Sequence, residues 1–412
     1  MRHLAYLILV GALGAVGAGL VPAAAVADPP RTFYVSATGD DSHDGTSPTT
    51  AWRTLQPLDS RDLAGDTVLL EGGSAFTGPL DLDSQDSGVT VGSFGSGRAR
   101  IRGQGTAAVM GYDVAAVTVR DLDLVGDAAA FTHDGGLNFY SDRPAGQRLS
   151  GITISDVAVR HFKDGVEIGG ANPGSGFAHV SIADVKAIGN RDTGIITYGP
   201  AFDPGSPSYA NHDVAVVRST ASRNLGNPTD KVHNSGNGIV LGSVDGGSVT
   251  RSTARANGLH CVAPEGPAGI WTYDSHDVRI TYNTSTGNRT GGTADGDGFD
   301  LDQNVSDSYL EHNTSSDNDG AGYLVFAGQN TATEGNFVRW NSSERDAANN
   351  NWYGGITLAG NVHSVSVAGN TVDTTQSPSH APALAVKSGV TGAKIGKNTL
   401  RSATGHAAVA RG

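Results

Sequence analysis

Eight glycines, each leading a short run in which apolar and variable residues alternate, recur along the chain: Gly136, Gly165, Gly194, Gly238, Gly269, Gly298, Gly322 and Gly355. Representative runs are Gly269-Ile270-Trp271-Thr272-Tyr273 and Gly298-Phe299-Asp300-Leu301-Asp302. Successive glycines are 29, 29, 44, 31, 29, 24 and 33 residues apart, a period that marks stacked repeats. The alternation is that of a strand with one face inward. The expectation is an all-β chain wound as a parallel β-solenoid (β-helix) of about ten or more coils.

Glycine makes up 58 of 412 residues, about twice its usual share, and no long helix-period pattern interrupts the strand signals. A solvated low-complexity chain would not keep strict alternation across eight units, so disorder is excluded. A second set of β-rich stretches follows the glycine strands. Five of them end in Asn283, Asn313, Asn341, Asn370 and Asn398, separated by 30, 28, 29 and 28 residues. Asparagine accepts left-handed backbone and can bond its equivalent in the coil above. These residues read as structural.

Residues 1–27 read as a secretory leader: Arg2 and His3, the apolar run Leu4 to Leu20, then small residues up to Ala27. Its removal leaves 27 basic against 41 acidic side chains, a net charge near −14. That balance argues against nucleic acid or an anionic membrane as partner. The mature protein is expected to be secreted, monomeric and not membrane-bound. Cys261 is the single cysteine, so an internal disulfide is excluded.

Residues 28–110 are read as an N-terminal cap and first coils, with Phe33-Tyr34-Val35 an opening strand, Trp52 to Arg61 a covering helix, and Gly65 to Leu70 the first full strand. Residues 111–412 carry the repeats and the groove. In the opening segment, Tyr34-Val35-Ser36, Gly39-Asp40-Asp41, Gly45-Thr46-Ser47, Trp52-Arg53-Thr54-Leu55 and Gly65-Asp66-Thr67-Val68 resemble the start of secreted bacterial proteins of the pectate-lyase superfamily. The resemblance implies a right-handed parallel β-helix. It is weak for substrate, because that superfamily holds lyases, hydrolases and non-enzymes.

Within such a coil, residues one and three places after each glycine point inward, and those two and four places after it point out. The outward columns contain Glu167 and the rings of Tyr140, Tyr198, Trp271, Tyr273 and Phe326. Exposed aromatic rows suit sugar rings, so these residues are candidate saccharide contacts. The alternative is that the long insertion Gly199 to Gly236 folds over the sheet and buries part of the row.

Beside Trp271 and Tyr273, the run Asp295-Gly296-Asp297-Gly298-Phe299-Asp300-Leu301-Asp302 places four carboxylates in eight residues. Like charges this close raise one another's pKa. Glu265 and Asp319 flank them from neighbouring coils, and Lys231, His233, Lys163 and His260 lie in turns near the groove. In one chemistry, Asp300 and Asp302 act as the acid and base of a glycoside hydrolase, with Asp295 and Asp297 in support. Alternate strand residues lie roughly 6.5 Å apart, near the lower edge of the inverting separation of about 6.5 to 9.5 Å. The grouping resembles the aspartates of polygalacturonases, without a match to that family's histidine and arginine-lysine motifs.

The alternative chemistry is calcium-dependent β-elimination on a polyuronate, with Asp295, Asp297 and Asp319 as metal ligands. Ala294-Asp295-Gly296, Phe299 and Asn318-Asp319-Gly320 resemble paired motifs of one pectate lyase family. Leu324 stands where that family keeps an acidic group, and neither outward column carries a lysine or arginine. The hydrolase reading, which needs no cofactor, is therefore preferred over the lyase, with Ca2+ kept as a possibility. A non-catalytic carbohydrate-binding solenoid is the third reading.

Overall fold

The computed structural model describes residues 29–127 and 135–412. Residues 1–28, which include the leader, and residues 128–134 lie outside the described residues. Strands fall into three long parallel sheets of thirteen, twelve and twelve members, with one further pair at Thr333–Glu334 and Val362–His363. The chain visits them in rotation. After an opening strand of sheet one at Thr32–Val35, it passes through sheet one at Thr67–Glu71, sheet two at Ala75–Thr77 and sheet three at Leu80–Leu82, then returns to sheet one at Thr90–Phe94. The expected solenoid is what forms. Its interior is a set of columns in strict register, one of which runs Leu137, Val166, Ile195, Ile239, Ile270, Phe299, Tyr323, Ile356 and Leu384. Each of these side chains is fully buried. Phe299 and Tyr323 stack with ring centroids 5.1 Å apart, close to the spacing between neighbouring strands.

The glycine ruler has a steric cause. Each glycine sits where the chain bends into sheet three, with its Cα hydrogen facing the coil interior. A Cβ on Gly238 would lie 2.2 Å from the Gly269 carbonyl oxygen, one on Gly269 2.0 Å from Ser285 Oγ, and one on Gly298 2.3 Å from Ser315 Oγ. No side chain fits there. The residue before each glycine consequently turns outward, which adds a third outward column beginning Asp164, Thr193, Asn237.

From Asp156 to Asn370 the corner between sheets one and two is two residues long. Its first position takes a left-handed conformation in Asp156, Asp184, Arg218, Arg251, Tyr282, His312 and Trp340. Its second position is buried, and from Ser219 onward it is polar. Ser219 and Ser252 lead into Asn283, Asn313, Asn341, Asn370 and Asn398. Each side-chain oxygen accepts from the backbone N–H of the equivalent residue one coil earlier, at 2.8–3.2 Å. The asparagine amides also donate to strand carbonyls such as Val249 and Ile280. A polar group that would be orphaned in the core is satisfied by its own repeat.

A second ladder, not anticipated from the sequence, lies at the corner between sheets two and three: Asn190, Asn224, Asn257, Asn288 and Asn318, linked through side-chain amides at 2.8–3.3 Å from backbone N–H groups. It ends on Asp346, whose Oδ1 accepts from Asn318 N at 3.1 Å and whose Oδ2 accepts from Ser343 Oγ at 2.7 Å. The same spacing of three joins Ser315 to Asn318 and Ser285 to Asn288.

The opening segment differs from expectation. No α-helix covers Trp52 to Arg61. Short 3-10 turns form at Pro48–Thr50 and Gln56–Ser60, and Trp52 instead makes a parallel bridge to Val35 and stacks on Phe33. Proline at position 57 and the shortness of the segment favour a turn over a helix.

Burial lifts the pKa of Asp346 to about 6, against the donors from Ser343 and Asn318. The folded state therefore holds this proton more tightly than the unfolded chain, and stability falls as pH rises from about 4 through the folded value. Asp346→Asn completes the ladder without a titrating group. It is expected to leave the melting temperature near that of the parent at pH 4 and raise it by about 3 °C at pH 8, as read by calorimetry at both pH values.

Candidate active site

Three columns converge on sheet three. The register places Trp271 beside Asp300 and Ala268 beside Asp297, with Leu324 next to Asp300 on the far side. Asp300 faces outward, as alternation in the strand Asp297–Leu301 requires, and Asp302, directly after the strand, lines the same cavity. Loops from the corner between sheets two and three rise beside this face. They contribute Pro264 and Glu265, Ala294 and Asp295, and Trp352 and Tyr353, and together they enclose a cavity of about 330 Å³. Trp271, Tyr273, Phe326, Trp352 and Tyr353 form its aromatic walls, and Asp295, Asp297, Asp300 and Asp302 are all part of its lining.

The aromatic walls are fixed. Trp271 Nε1 donates to Asn237 Oδ1 at 3.0 Å, and the Asn237 amide donates to Asn234. The Tyr273 ring lies against Gly242, where a Cβ would come within 2.4 Å of it, and its centroid is 5.3 Å from that of Trp271. Tyr353, which is 58 residues further along the chain, donates its hydroxyl to Asp295 Oδ1 at 2.8 Å and accepts from the Asp295 N–H at 2.7 Å.

None of the lining residues is lysine, arginine or histidine. The four carboxyls therefore lack a nearby cation within the lining, and their pKa values rise. Burial raises Asp297 well above the usual carboxylate range, and the charge of Asp295 adds to it. Asp297 Oδ1 accepts from the Ala321 N–H, while Oδ2 is buried without a partner among the described residues. Burial likewise raises Asp300, reinforced by Asp302 and Asp297; it is 7% exposed and its Oδ1 has no partner among the described residues. Asp302 is pushed up to about 7, chiefly by burial, against a hydrogen bond from the Gln303 backbone. Asp295 is raised by burial although Tyr353 and Gly266 donate to it. At neutral pH such a group holds protons that ordinary carboxyls would have released.

Other sequence candidates fall elsewhere. Tyr140, Tyr198 and Glu167 lie on the same sheet, in strands nearer the N-terminus, outside the cavity lining. Lys163 is held 3.0 Å from Asp164 and 3.9 Å from Glu167. Lys231 and His233 sit on an exposed loop, where His233 Nδ1 is 3.1 Å from Asp230, and His260 is exposed outside the lining. Asp319 is bound by Arg289 at 3.3 Å and by the Thr290 N–H at 3.0 Å, and both Asp295 oxygens already accept hydrogen bonds. Among the described residues no three His, Cys, Asp or Glu side chains converge to hold a metal ion. The segment 199–236 does not fold over the aromatic row as one insertion. It contains the strands Asn211–Val217 and Thr220–Ser222, and its surplus length is split between two corners.

Trp352, Tyr353, Asn237 and Gln303 were not among the sequence candidates. Asn237 precedes one of the ruler glycines, a position that looked inward by simple alternation. Trp352 and Tyr353 carried only a weak signal, the 33-residue interval before Gly355.

The family model for the right-handed β-helix region matches residues 206–372. Among solved structures, the chain is similar to a GH136 lacto-N-biosidase from Eubacterium ramulus, at 17% identity and a TM-score of 0.58 over 92% of this chain and 68% of that one. It is similar to the Dettilon tailspike protein at 15% identity and a TM-score of 0.58, with the same coverage. No curated protein sequence matches it. The chain is a right-handed parallel β-helix.

Tyr353→Phe removes the donor to Asp295 and leaves the Asp295 N–H, now buried, without its acceptor. A loss of about 1–3 kcal/mol in stability is expected, measured by urea unfolding. An unchanged midpoint would mean that the loop does not close on Asp295.

Proposed function

We propose that the protein is a secreted glycoside hydrolase that cleaves a polysaccharide or oligosaccharide in the cavity between Trp271 and Trp352. One observation carries this reading: two carboxyls on alternate outward positions, Asp300 and Asp302, lie in an aromatic-walled cavity whose lining holds no cation, so that both keep raised pKa values. Hydrolysis of a glycosidic bond needs one carboxyl that is still protonated at working pH and a second that can accept a proton. Asp300, the more deeply buried, is assigned as the acid. Its O–H protonates the leaving oxygen as the glycosidic C–O bond breaks. Asp302, nearer solvent, takes a proton from the water whose oxygen attacks the anomeric carbon. Alternate residues of an extended chain have Cα atoms roughly 6.5 Å apart, and carboxyls held about 6.5 to 9.5 Å apart leave room for an attacking water, the inverting arrangement. Asp295 and Asp297 add negative charge that keeps the acid protonated, and Trp271, Tyr273 and Phe326 supply apolar faces for sugar rings.

A lyase would need a base beside the uronate and a cation to offset its carboxylate. The lining offers carboxylates that could act as the base but no cationic side chain to offset a uronate, so the hydrolase is preferred. The similarity to a lacto-N-biosidase supports a glycan substrate without indicating which one. Secretion rests on the leader sequence.

Asp300→Asn and Asp302→Asn are each expected to lower release of reducing ends by about 10²–10⁴-fold with the melting temperature maintained. Full activity in both variants would remove them from the mechanism. Because Asp302 must be ionised to act as base and its pKa is raised to about 7, kcat/KM should climb as pH passes through about 7 and not near 4, and fall again once Asp300 loses its proton. A profile already at its plateau at pH 5 contradicts the assignment. Absorbance from an unsaturated product, abolished by chelator, would establish the lyase instead.

A further inference from the structure

The acidic cavity does not end at Phe326. That ring also lines a second concavity of about 430 Å³, and this shares Gln329 and Asn361 with a third of about 360 Å³. The three lie end to end, leading from the carboxylates across the corner between sheets three and one. The third is walled by part of the segment 199–210, which folds away from the aromatic row. Phe202 and Tyr209 lie with centroids 5.8 Å apart, and Tyr209 rests on His276. Asn304 follows Gln303 of the cavity directly and faces this third concavity.

The chemistry of this extension differs from that of the cavity. Of the residues lining its two segments, Glu334 alone is charged. The rest are amides, hydroxyls, glycines, small apolar residues and the rings of Phe202, Tyr209, Phe326 and two prolines. The amides of Gln329 and Asn330 are exposed and make no hydrogen bond within the described residues, while Asn361 donates to Thr331 O and keeps its carbonyl oxygen for other donors. Neutral donors and acceptors beside flat apolar faces match hydroxyl-bearing sugar rings. A polyanion finds no cation in the lining, and it meets Glu334 and the four aspartates instead.

We infer that these two concavities bind the remainder of a neutral glycan whose scissile bond sits at Asp300 and Asp302, so that the substrate crosses the sheet corner and does not run along the helix axis. This rests on the hydrolase reading and specifies its substrate class. The test uses the full-length Asp302→Asn protein, with and without Gln329→Ala and Asn330→Ala, titrated calorimetrically with two- to six-unit ladders of gluco-, xylo-, manno- and galacto-oligosaccharides and of oligogalacturonate. Both substituted positions are exposed, so folding is not at risk. The expected result is affinity for one neutral ladder that grows with length up to at least four units. The double substitution should weaken six-unit binding about tenfold and leave two-unit binding unchanged. Affinity that stops growing at two units, indifference to the double substitution, or preference for oligogalacturonate overturns the extended groove while leaving the cavity's function standing. No binding by any ladder overturns both.

Discussion

Close parallel stacking of coils is the constraint on which everything else in this molecule rests. Strands about 4.8 Å apart leave no space for a Cβ where the chain turns into sheet three, and every turn places backbone amides in the core. Glycine answers the first demand, as the 2.0–2.3 Å clashes at Gly238, Gly269 and Gly298 make plain. The serine and asparagine ladders answer the second, because each rung offers an acceptor to the N–H group of the rung before it. Neither device works for one coil alone. Both require an equivalent neighbour, which is why the repeat is so regular where the ladders run and so irregular in the loops between.

On this frame the acidic cavity is an expensive feature. Carboxyls without cations nearby are destabilising when ionised, and the stack relieves them only in part, through the Gly266, Ala321 and Tyr353 donors. The remaining relief is retention of protons. Asp346 follows the same rule at a purely structural position, so a raised pKa here reports burial in a rigid wall and does not by itself identify chemistry. What separates Asp300 and Asp302 from Asp346 is access: they open on a space large enough for a sugar, and Asp346 opens on nothing.

Much of the frame was legible because the inward positions repeat. The ruler glycines, the interior column from Leu137 to Ile356 and the ladder from Asn283 to Asn398 follow from periodicity, since equivalent residues must meet when coils stack. The meeting of Trp271, Tyr273, Asp300 and Asp302 followed from the same register. Two kinds of information were missing. Counting alternation from the glycine misplaces the residue before it, because two consecutive positions face inward at the bend, and so Asn237 went unnoticed as the anchor of Trp271. Loop closure is not periodic: the contact of Tyr353 with Asp295 spans 58 residues and depends on the path of a corner that has no counterpart in other coils. Lys231 and His233 show the converse, being near the groove in sequence order but exposed on their own loop outside the cavity lining.

The three corners of each coil are not equally free. From Ser219 to Asn370 the corner between sheets one and two is held to two residues by a left-handed or glycine backbone position followed by a buried polar rung, so an insertion there would break the ladder. The other two corners carry the cavity walls and the outer groove. Diversification of such a scaffold is thereby channelled: new specificities can arise by lengthening or shortening loops along two edges of a prism whose third edge is pinned wherever the polar ladder runs.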